Sequence, residues 1–392
     1  MDQIPHVSLD PESLIEEAIQ ETGLSDFGDE LFREPLRILT ESLDSESRLS
    51  AIGRLTQRQR LVGSLAARLR MQDYLKRYPE IRDIEITNPV VIVGFPRTGT
   101  TMLQRILAND SRFFAAYWYE VRFPSPFPGW DFDGPDPRIP AAEAEVEAYI
   151  KAVPDLAAMH PFTATGADEE VLLLEHCFYS TMPLFLASVP SFQRWEESTD
   201  QTPGYEYLKT ALQFLQWQKQ RKGHTEGQRW VLKAPHHLHY PDLLLKVFPD
   251  AQIIQTHRDP VETIPSMCSF QFALRKLASD EADPVTVGRE MGPKWRTAIR
   301  RTMQVRDQHP DRFHDVWYRD TVSQPMAVVE RLYDYLDMPL TDSVRQAMEK
   351  WREDNRRDNR APHRYTPEQF GFTEDSLKQD FHEYRERFIE IG

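Results

Sequence analysis

Apolar residues recur at helical spacing between charged positions over residues 10–80. This pattern predicts amphipathic helices, because residues three and four positions apart share one face of a helix. The predicted helices cover residues 13–22, 29–43 and 47–77. We therefore expect a helical N-terminal extension over residues 1–88, packed on the part of the chain that follows.

Short apolar runs bounded by polar or turn-forming residues follow from residue 90 onward. Such runs predict buried strands. The predicted strands begin at Val90 and then cover residues 229–233, 251–257 and 313–317. Helical patterns lie between and before them, over residues 141–153, 168–186, 205–222 and 240–247. Alternating strands and helices are typical of a parallel sheet covered on both faces. The predicted fold class is therefore α/β.

The stretch VVIVGFPRTGTTMLQRIL, residues 90–107, joins the first strand to a glycine-bounded loop and a helix. Gly94 and Gly99 have the spacing of a Walker loop, whose backbone N–H groups bind phosphate. The Walker lysine is missing, since Thr100 and Thr101 follow Gly99, and Arg97 lies inside the loop. The sequence thus predicts a P-loop-like sheet that binds a phosphate-bearing donor without hydrolysing a nucleoside triphosphate.

Polar residues follow each predicted strand. Arg97 lies in the first loop, Lys233 ends the strand RWVLK, Arg258 follows QIIQTH, and Tyr318 follows FHDVW. Ligands of parallel sheets bind at the carboxyl ends of the strands. We therefore expect these four residues to share one pocket. The helix after Arg258 has clear start signals, with Asp259 at the N-cap position followed by proline.

Charge and composition exclude several classes of function. The net charge of −15 disfavours nucleic acid as a partner. Two cysteines, Cys177 and Cys268, fit a reducing compartment and form no zinc motif. His236, His237 and His239 lack a cysteine or carboxylate that completes a metal-ligand spacing, so no metal is expected. With no apolar run of about 20 residues and no secretory pattern at residue 1, we expect a cytoplasmic protein without a transmembrane segment.

Two motifs resemble the sulfotransferases that use 3′-phosphoadenosine 5′-phosphosulfate (PAPS), within them the bacterial branch whose loop reads P-R-x-G-T-T. The loop FPRTGTT, residues 95–101, is similar to the family's 5′-phosphosulfate loop. Arg258 and Ser266 stand eight residues apart at a strand end and on the following helix, which matches the family's 3′-phosphate site. A cation with a hydroxyl suits that phosphate chemically. The resemblance implies a sulfotransferase domain over residues 89–392, with PAPS as donor and 3′,5′-ADP as product.

The resemblance also implies roles for individual residues. The 5′-phosphosulfate would be held by Arg97, Thr98, Gly99, Thr100 and Thr101. Lys233, in LKAPHH, resembles the lysine that neutralises the leaving group in tyrosylprotein sulfotransferases, and Arg97 would assist it. Tyr318 resembles the tyrosine near the adenine. Arg364 is the expected 3′-phosphate partner within the basic segment of residues 352–364.

Three groups compete for the role of general base. Glu120 resembles the glutamate that follows the same helix in tyrosylprotein sulfotransferases, and its aromatic neighbours would raise its pKa. His236 or His237 resembles the histidine base of the cytosolic sulfotransferases, although the spacing from Lys233 is one residue longer. The acidic residues 168–170 are interpreted mainly as partners of a helix N-terminus. Glu120 is the preferred base.

The acceptor pocket is expected among the segments of residues 123–222. Seven aromatic residues there would line it: Trp130, Phe132, Phe162, Phe178, Tyr179, Phe185 and Trp217. An apolar pocket favours the hydroxyl, or amine, of a small molecule, lipid or glycolipid. The predicted function is in-line sulfuryl transfer to such an acceptor. Two alternatives are a kinase or NTPase without the Walker lysine and a non-catalytic nucleotide-binding protein.

Overall fold

A five-stranded parallel sheet forms the centre of the protein. A computed structural model describes residues 7–153, 162–355 and 364–390. The strands are β1 (Val90–Gly94), β2 (Phe113–Ala115), β3 (Arg229–Lys233), β4 (Gln252–His257) and β5 (Phe313–Trp317). Their order across the sheet is β2-β3-β1-β4-β5, with every pair parallel. The predicted α/β class is confirmed.

Helices cover the sheet and precede it. The first group is α1 (Pro11–Thr22), α2 (Arg33–Ser45), α3 (Ala51–Arg77), α4 (Thr100–Leu107), α5 (Trp118–Arg122), α6 (Arg138–Ala152), α7 (Met182–Leu186), α8 (Pro190–Ser198) and α9 (Thr202–Arg221). The second group is α10 (Pro241–Val247), α11 (Pro260–Ala278), α12 (Pro284–Gln308), α13 (Tyr318–Ser323), α14 (Pro325–Tyr335), α15 (Asp342–Asp354), α16 (Glu374–Asp380) and α17 (His382–Phe388). Short 3₁₀ helices lie at Pro79–Asp83, Glu170–His176, Pro235–Leu238, Pro310–Arg312 and Pro367–Phe370.

Strand β1 is buried along its whole length. Its side chains alternate between two apolar clusters, because successive residues of a strand point to opposite faces. Val91 and Val93 belong to the cluster that includes the N-terminal helices, whereas Val90 and Ile92 pack with α4 and α14. A central strand that is apolar on both faces is the pattern of a sheet covered on both sides.

The predicted helix over residues 168–186 is wrong in kind. The structure has the 3₁₀ helix Glu170–His176 and then the short helix α7. Polar contacts fix both ends of this 3₁₀ helix, which stands in place of the expected continuous α-helix. Glu170 accepts a hydrogen bond from the backbone N–H of Lys233 at 2.9 Å, and Glu175 is paired with Arg60 of α3.

Helix α3 packs closely on the end of α11. The backbone N–H of Ser50, the N-cap of α3, donates to the carbonyl oxygen of Ala278 at 2.9 Å. Gly53 permits this approach, since a Cβ there would lie 1.9 Å from the same oxygen. The division of the chain at residue 88 stays a prediction. Among the described residues, every helix is too short or too polar to cross a membrane.

Candidate active site

The loop between β1 and α4 is tightly folded. Gly94 approaches β4 so closely that a Cβ would lie 2.0 Å from Thr256 Oγ1. Arg97 and Gly99 have positive φ angles of 73° and 86°, which turn the chain from the strand end into α4. The Thr98 hydroxyl donates to the Phe95 carbonyl at 2.6 Å. The side chain of Thr98 therefore holds the loop itself.

Lys233 joins this loop to a carboxylate. Its side chain is buried at the end of β3, the neighbour of β1. The Nζ atom donates to Thr101 Oγ1 at 3.1 Å and to Glu169 Oε1 at 2.7 Å. Three separate segments of the chain thus converge on one ammonium group.

Glu169 is the carboxylate of this group. It precedes the 3₁₀ helix Glu170–His176, and 23% of its side chain is exposed. Burial raises the pKa of Glu169 and the adjacent Asp168 raises it further, against the lowering effect of Lys233. A carboxylate with a raised pKa accepts a proton more readily near neutral pH.

Glu120 lies in a different environment from the one expected for a base. It occupies the first turn of α5, and its carboxylate accepts hydrogen bonds from Lys219 Nζ at 2.6 and 2.8 Å. It also accepts from the backbone N–H of Tyr117 at 3.0 Å. Both members of the Glu120–Lys219 pair are buried, and neither lines the cavity beside Lys233.

The two histidines after Lys233 differ in position. His236 borders the cavity, with its Nδ1 3.2 Å from Thr181 Oγ1. Burial, helped by nearby His237, lowers the pKa of His236 well below its ordinary value, so this ring is neutral near pH 7. His237 is held inside the fold between Glu170 at 2.7 Å and the Tyr205 hydroxyl at 2.9 Å.

Arg258 follows β4 and contacts the loop from the side opposite β3. Its Nη1 donates to the carbonyl oxygen of Arg97 at 3.0 Å, and its guanidinium lies 4.2 Å from the ring centroid of Tyr318. Tyr318 in turn packs against Gly99, where a Cβ would lie 3.2 Å from the ring. Arg258 also forms an ion pair with Glu262, with Nε 3.0 Å from Oε2.

The other predicted 3′-phosphate residues lie on or near α11. Ser266 is buried within this helix. Arg364 is exposed, and the hydroxyl of its neighbour Tyr365 lies 3.5 Å from the Glu262 carbonyl oxygen. Three arginines of the basic segment, Arg356, Arg357 and Arg360, fall outside the described residues.

A cavity lies next to the loop and is bordered by Arg97, Thr100, Thr101, Glu169 and His236. Most of its wall is apolar. The apolar and aromatic residues that line it are Trp118, Tyr149, Phe162, Val171, Leu172, Met182, Phe185, Leu186, Phe270, Leu274 and Leu277. The cavity is therefore suited to an apolar ligand that reaches Glu169, the partner of buried Lys233, with one end.

Only part of the expected aromatic lining is found in this cavity. Phe162 and Phe185 line it. The remaining five, Trp130, Phe132, Phe178, Tyr179 and Trp217, pack elsewhere; Phe132 lies against Trp217, with ring centroids 5.6 Å apart. Helix α11 supplies Phe270, Leu274 and Leu277 in their place.

Comparison with known proteins identifies the family of this chain. Residues 89–342, which include the whole sheet and both motifs, match the sulfotransferase family. The chain belongs to the sulfotransferase family. The resemblance stated from the sequence is confirmed, and the protein is a sulfotransferase enzyme.

This sulfotransferase is similar to mycobacterial enzymes over nearly its whole length. It shares 29% identity and a TM-score of 0.82 with the crystal structure of STF1 from Mycobacterium tuberculosis H37Rv, covering 97% of this chain and 99% of that one. With STF9 from Mycobacterium avium it shares 27% identity and a TM-score of 0.86, covering 99% and 98%.

A curated relative has an acceptor in its name. The omega-hydroxy-beta-dihydromenaquinone-9 sulfotransferase Stf3 of Mycobacterium tuberculosis is 26% identical over 262 residues. The match covers 64% of this chain and 63% of the length of Stf3.

Two residues of the candidate site lie outside the motifs of the sequence. The sequence indicates Glu169 mainly as a partner of a helix N-terminus, whereas its contact with Lys233 arises from tertiary packing. Arg60 borders the cavity from α3 and carried no motif. Within residues 7–153, 162–355 and 364–390, no three His, Cys, Asp or Glu side chains are grouped to hold a metal ion.

Proposed function

We propose that this sulfotransferase transfers a sulfuryl group from PAPS to the hydroxyl of an apolar small-molecule or lipid acceptor. The observation that carries the proposal is the position of Lys233, whose Nζ contacts both Thr101 of the loop helix and Glu169 of the cavity. Lys233 is thus a cation between the predicted donor loop and a carboxylate, a position that supports a role in neutralising the leaving group during in-line transfer.

The donor would bind across the ends of β1 and β4. Arg97, Thr100, Thr101 and the loop amides are suited to the 5′-phosphosulfate. The Thr98 hydroxyl already donates to the Phe95 carbonyl, so Thr98 would bind the donor with its backbone N–H. Arg258 suits the 3′-phosphate, with Ser266 and Arg364 as further partners by resemblance. Its pair with Glu262, whose side chain is 56% exposed, is of a kind that contributes little stability, so phosphate can replace it. Tyr318, beneath Arg258, would lie beside the adenosine.

The chemistry follows from these positions. As the acceptor oxygen bonds to sulfur, the bond between sulfur and the bridging oxygen breaks, and negative charge develops on the 5′-phosphate. Lys233 donates a hydrogen bond to that oxygen and neutralises the charge. The acceptor proton passes to Glu169, which replaces Glu120 as the proposed base because it borders the cavity and contacts Lys233. His236, neutral and at the cavity wall, is the alternative base.

The lining of the cavity supports an apolar acceptor over a charged polysaccharide. The name of Stf3, which describes a hydroxylated menaquinone derivative, supports the same class of acceptor. That match covers part of each protein, so the main support for an apolar acceptor is the lining of this chain's own cavity.

The test compares Glu169→Gln with the wild-type enzyme. We expect kcat for PAPS-dependent sulfation of long-chain alcohols, phenols and sterols to fall about 100-fold or more, since the general base is lost. Affinity for 3′,5′-ADP, measured by calorimetry, stays unchanged. Full activity in Glu169→Gln would transfer the role to His236.

The matched control is Glu120→Gln, which leaves buried Lys219 without its carboxylate. We expect it to lose about 3 kcal/mol of unfolding free energy while its folded fraction keeps its activity. A wild-type protein that binds 3′,5′-ADP but sulfates none of these acceptors would favour a non-catalytic nucleotide-binding protein. Mg²⁺-dependent turnover of ATP would favour a kinase or NTPase.

A further inference from the structure

The 3₁₀ helix Glu170–His176 gives the cavity two polar ends. A 3₁₀ helix has three residues per turn, so Leu172 and Glu175 share one face, and Glu169 is the N-cap that precedes the first turn. Glu169, Leu172 and Glu175 all line the cavity. At about 2 Å of rise per residue, the two glutamates lie roughly 12 Å apart along this segment. Glu169 meets Lys233 at one end, and Glu175 meets a second cation at the other.

That second end is a cluster of Arg60, Arg122 and Glu175, which we name the distal cluster. Arg60 of α3 forms an ion pair with Glu175, and Arg122 of α5 lies 3.9 Å from the same carboxylate. Arg122 is also paired with Glu145, with Nη2 2.7 Å from Oε1. All three members of the distal cluster border the cavity, so the wall at this end is charged rather than apolar.

Trp118 adds an available donor on the same side. Trp118 and Arg122 are four residues apart on α5 and therefore share a helix face. Both line the cavity. The buried Nε1 of Trp118 has no hydrogen-bond partner among the residues that the structure describes. A buried donor without a partner costs free energy, and an acceptor atom of a ligand would remove that cost.

Packing alone does not explain charges in this wall. Buried ion pairs are often no more stabilising than apolar side chains of similar volume. An acceptor that is apolar throughout would gain nothing from two guanidinium groups, because contact with it desolvates them without a compensating hydrogen bond. A ligand oxygen, by contrast, can accept from a guanidinium or from the Trp118 indole.

We propose that the distal cluster binds a second oxygen-bearing group of the acceptor, a carbonyl or a carboxylate, about 12 Å from the hydroxyl that is sulfated. The proposal rests on the proposed function, since it uses the same cavity. It narrows the acceptor class to long molecules that carry a hydroxyl at one end and a carbonyl or carboxylate at the other. Their apolar middle would pack against Leu172, Phe270 and Leu274.

The experiment uses three probes of equal chain length, long enough to span about 12 Å. They are an ω-hydroxy fatty acid, its methyl ester and the unsubstituted primary alcohol. Calorimetry measures their binding to the full chain loaded with 3′,5′-ADP. We expect the acid, the ester or both to bind about tenfold or more tightly than the plain alcohol. A preference for the acid identifies a carboxylate, and equal binding of acid and ester identifies a carbonyl.

Variants locate the effect. Arg60→Met combined with Glu175→Gln removes the ion pair without leaving an unpaired buried charge. It should sharply reduce the preference, because the acid and the ester lose the Arg60 donor while the plain alcohol binds at least as tightly as before. The single change Arg60→Lys, which keeps a cation at this position, should retain part of the preference. The matched control is Glu120→Gln combined with Lys219→Met, a buried pair outside the cavity, which should keep the full preference.

The outcomes separate the two proposals. Equal binding of all three probes, no binding of any, or a preference that the Arg60→Met/Glu175→Gln change leaves undiminished overturns the distal site. PAPS-dependent sulfation of the plain alcohol would meanwhile uphold the proposed function. If no probe is sulfated but the preference is present and reduced in the variant, the distal site stands and the assignment of a hydroxyl acceptor fails.

Discussion

Arg258 connects three parts of the site at the scale of single residues. It donates to the Arg97 carbonyl, stacks on Tyr318 and pairs with Glu262. Only the Glu262 contact is an exposed ion pair, and such pairs contribute about 0 to 1 kcal/mol. In the proposed donor complex, the 3′-phosphate would therefore compete with Glu262 without disturbing the loop.

Arg258→Ala should weaken binding of 3′,5′-ADP about tenfold or more, because a charge-assisted hydrogen bond to the 3′-phosphate is lost. Binding of 5′-AMP, which lacks that phosphate, should change much less. Calorimetry with both nucleotides measures the difference. Glu262→Gln is the control, and it should bind 3′,5′-ADP at least as tightly as the wild type. Equal losses for the two nucleotides in Arg258→Ala would contradict the assignment.

Residues at strand ends could be grouped from the sequence, but their partners could not. Lys233 and Arg258 meet the loop because parallel strands end at one edge of the sheet. The partner of Glu120 could not be anticipated, since Lys219 lies 99 positions away on α9. The same is true of Glu169 and Lys233, which lie 64 positions apart.

At the scale of elements, α3 and α11 are in backbone contact at Gly53. Alanine there gains helix propensity of about 1 kcal/mol, but its Cβ would lie 1.9 Å from the Ala278 carbonyl oxygen. The steric effect is the larger one, because backbone atoms cannot move aside as a side chain can.

Gly53→Ala should therefore lower the unfolding free energy by about 1 to 3 kcal/mol, measured by urea denaturation. Gly63→Ala, on the same helix with no atom within 4 Å of the added Cβ, is the control. It should raise stability by about 0.5 to 1 kcal/mol. Stabilisation by both changes would show that the two helices separate readily.

Strands and long helices could be predicted, since each carries a periodic pattern that its own residues determine. The strands Arg229–Lys233 and Phe313–Trp317 have the bounds expected from the sequence. The edge strand Phe113–Ala115 has only three residues, too few to show a period. The 3₁₀ helix Glu170–His176 depends on contacts with β3 and α3, which no local pattern encodes.

At the scale of the whole molecule, buried histidines make stability depend on pH. Burial lowers the pKa of His176 to about 3 and lowers the pKa of His236 and of His239 well below their ordinary value. The folded protein keeps these rings neutral, whereas the unfolded chain protonates them below about pH 6.5. The unfolded state then binds more protons, so stability falls as the pH falls.

We expect the unfolding free energy to decrease below about pH 6.5 by about 1 kcal/mol per pH unit for each of these rings. Urea denaturation at about pH 7 and about pH 5 measures the slope. His176→Gln should reduce it by one ring's share, and His382→Gln, at an exposed position, should leave it unchanged. A slope that is the same in His176→Gln and the wild type would show that His176 takes up a proton in the folded protein.

The contribution of α3 to the cavity has a consequence for the choice of acceptor. The loop between β1 and α4 and Lys233 of β3 lie at the end of the sheet, whereas Arg60 reaches the cavity from α3, which ends before the first strand begins. On the proposed function, a substitution at Arg60 would thus change which acceptor the cavity takes and leave the loop and Lys233 unaltered.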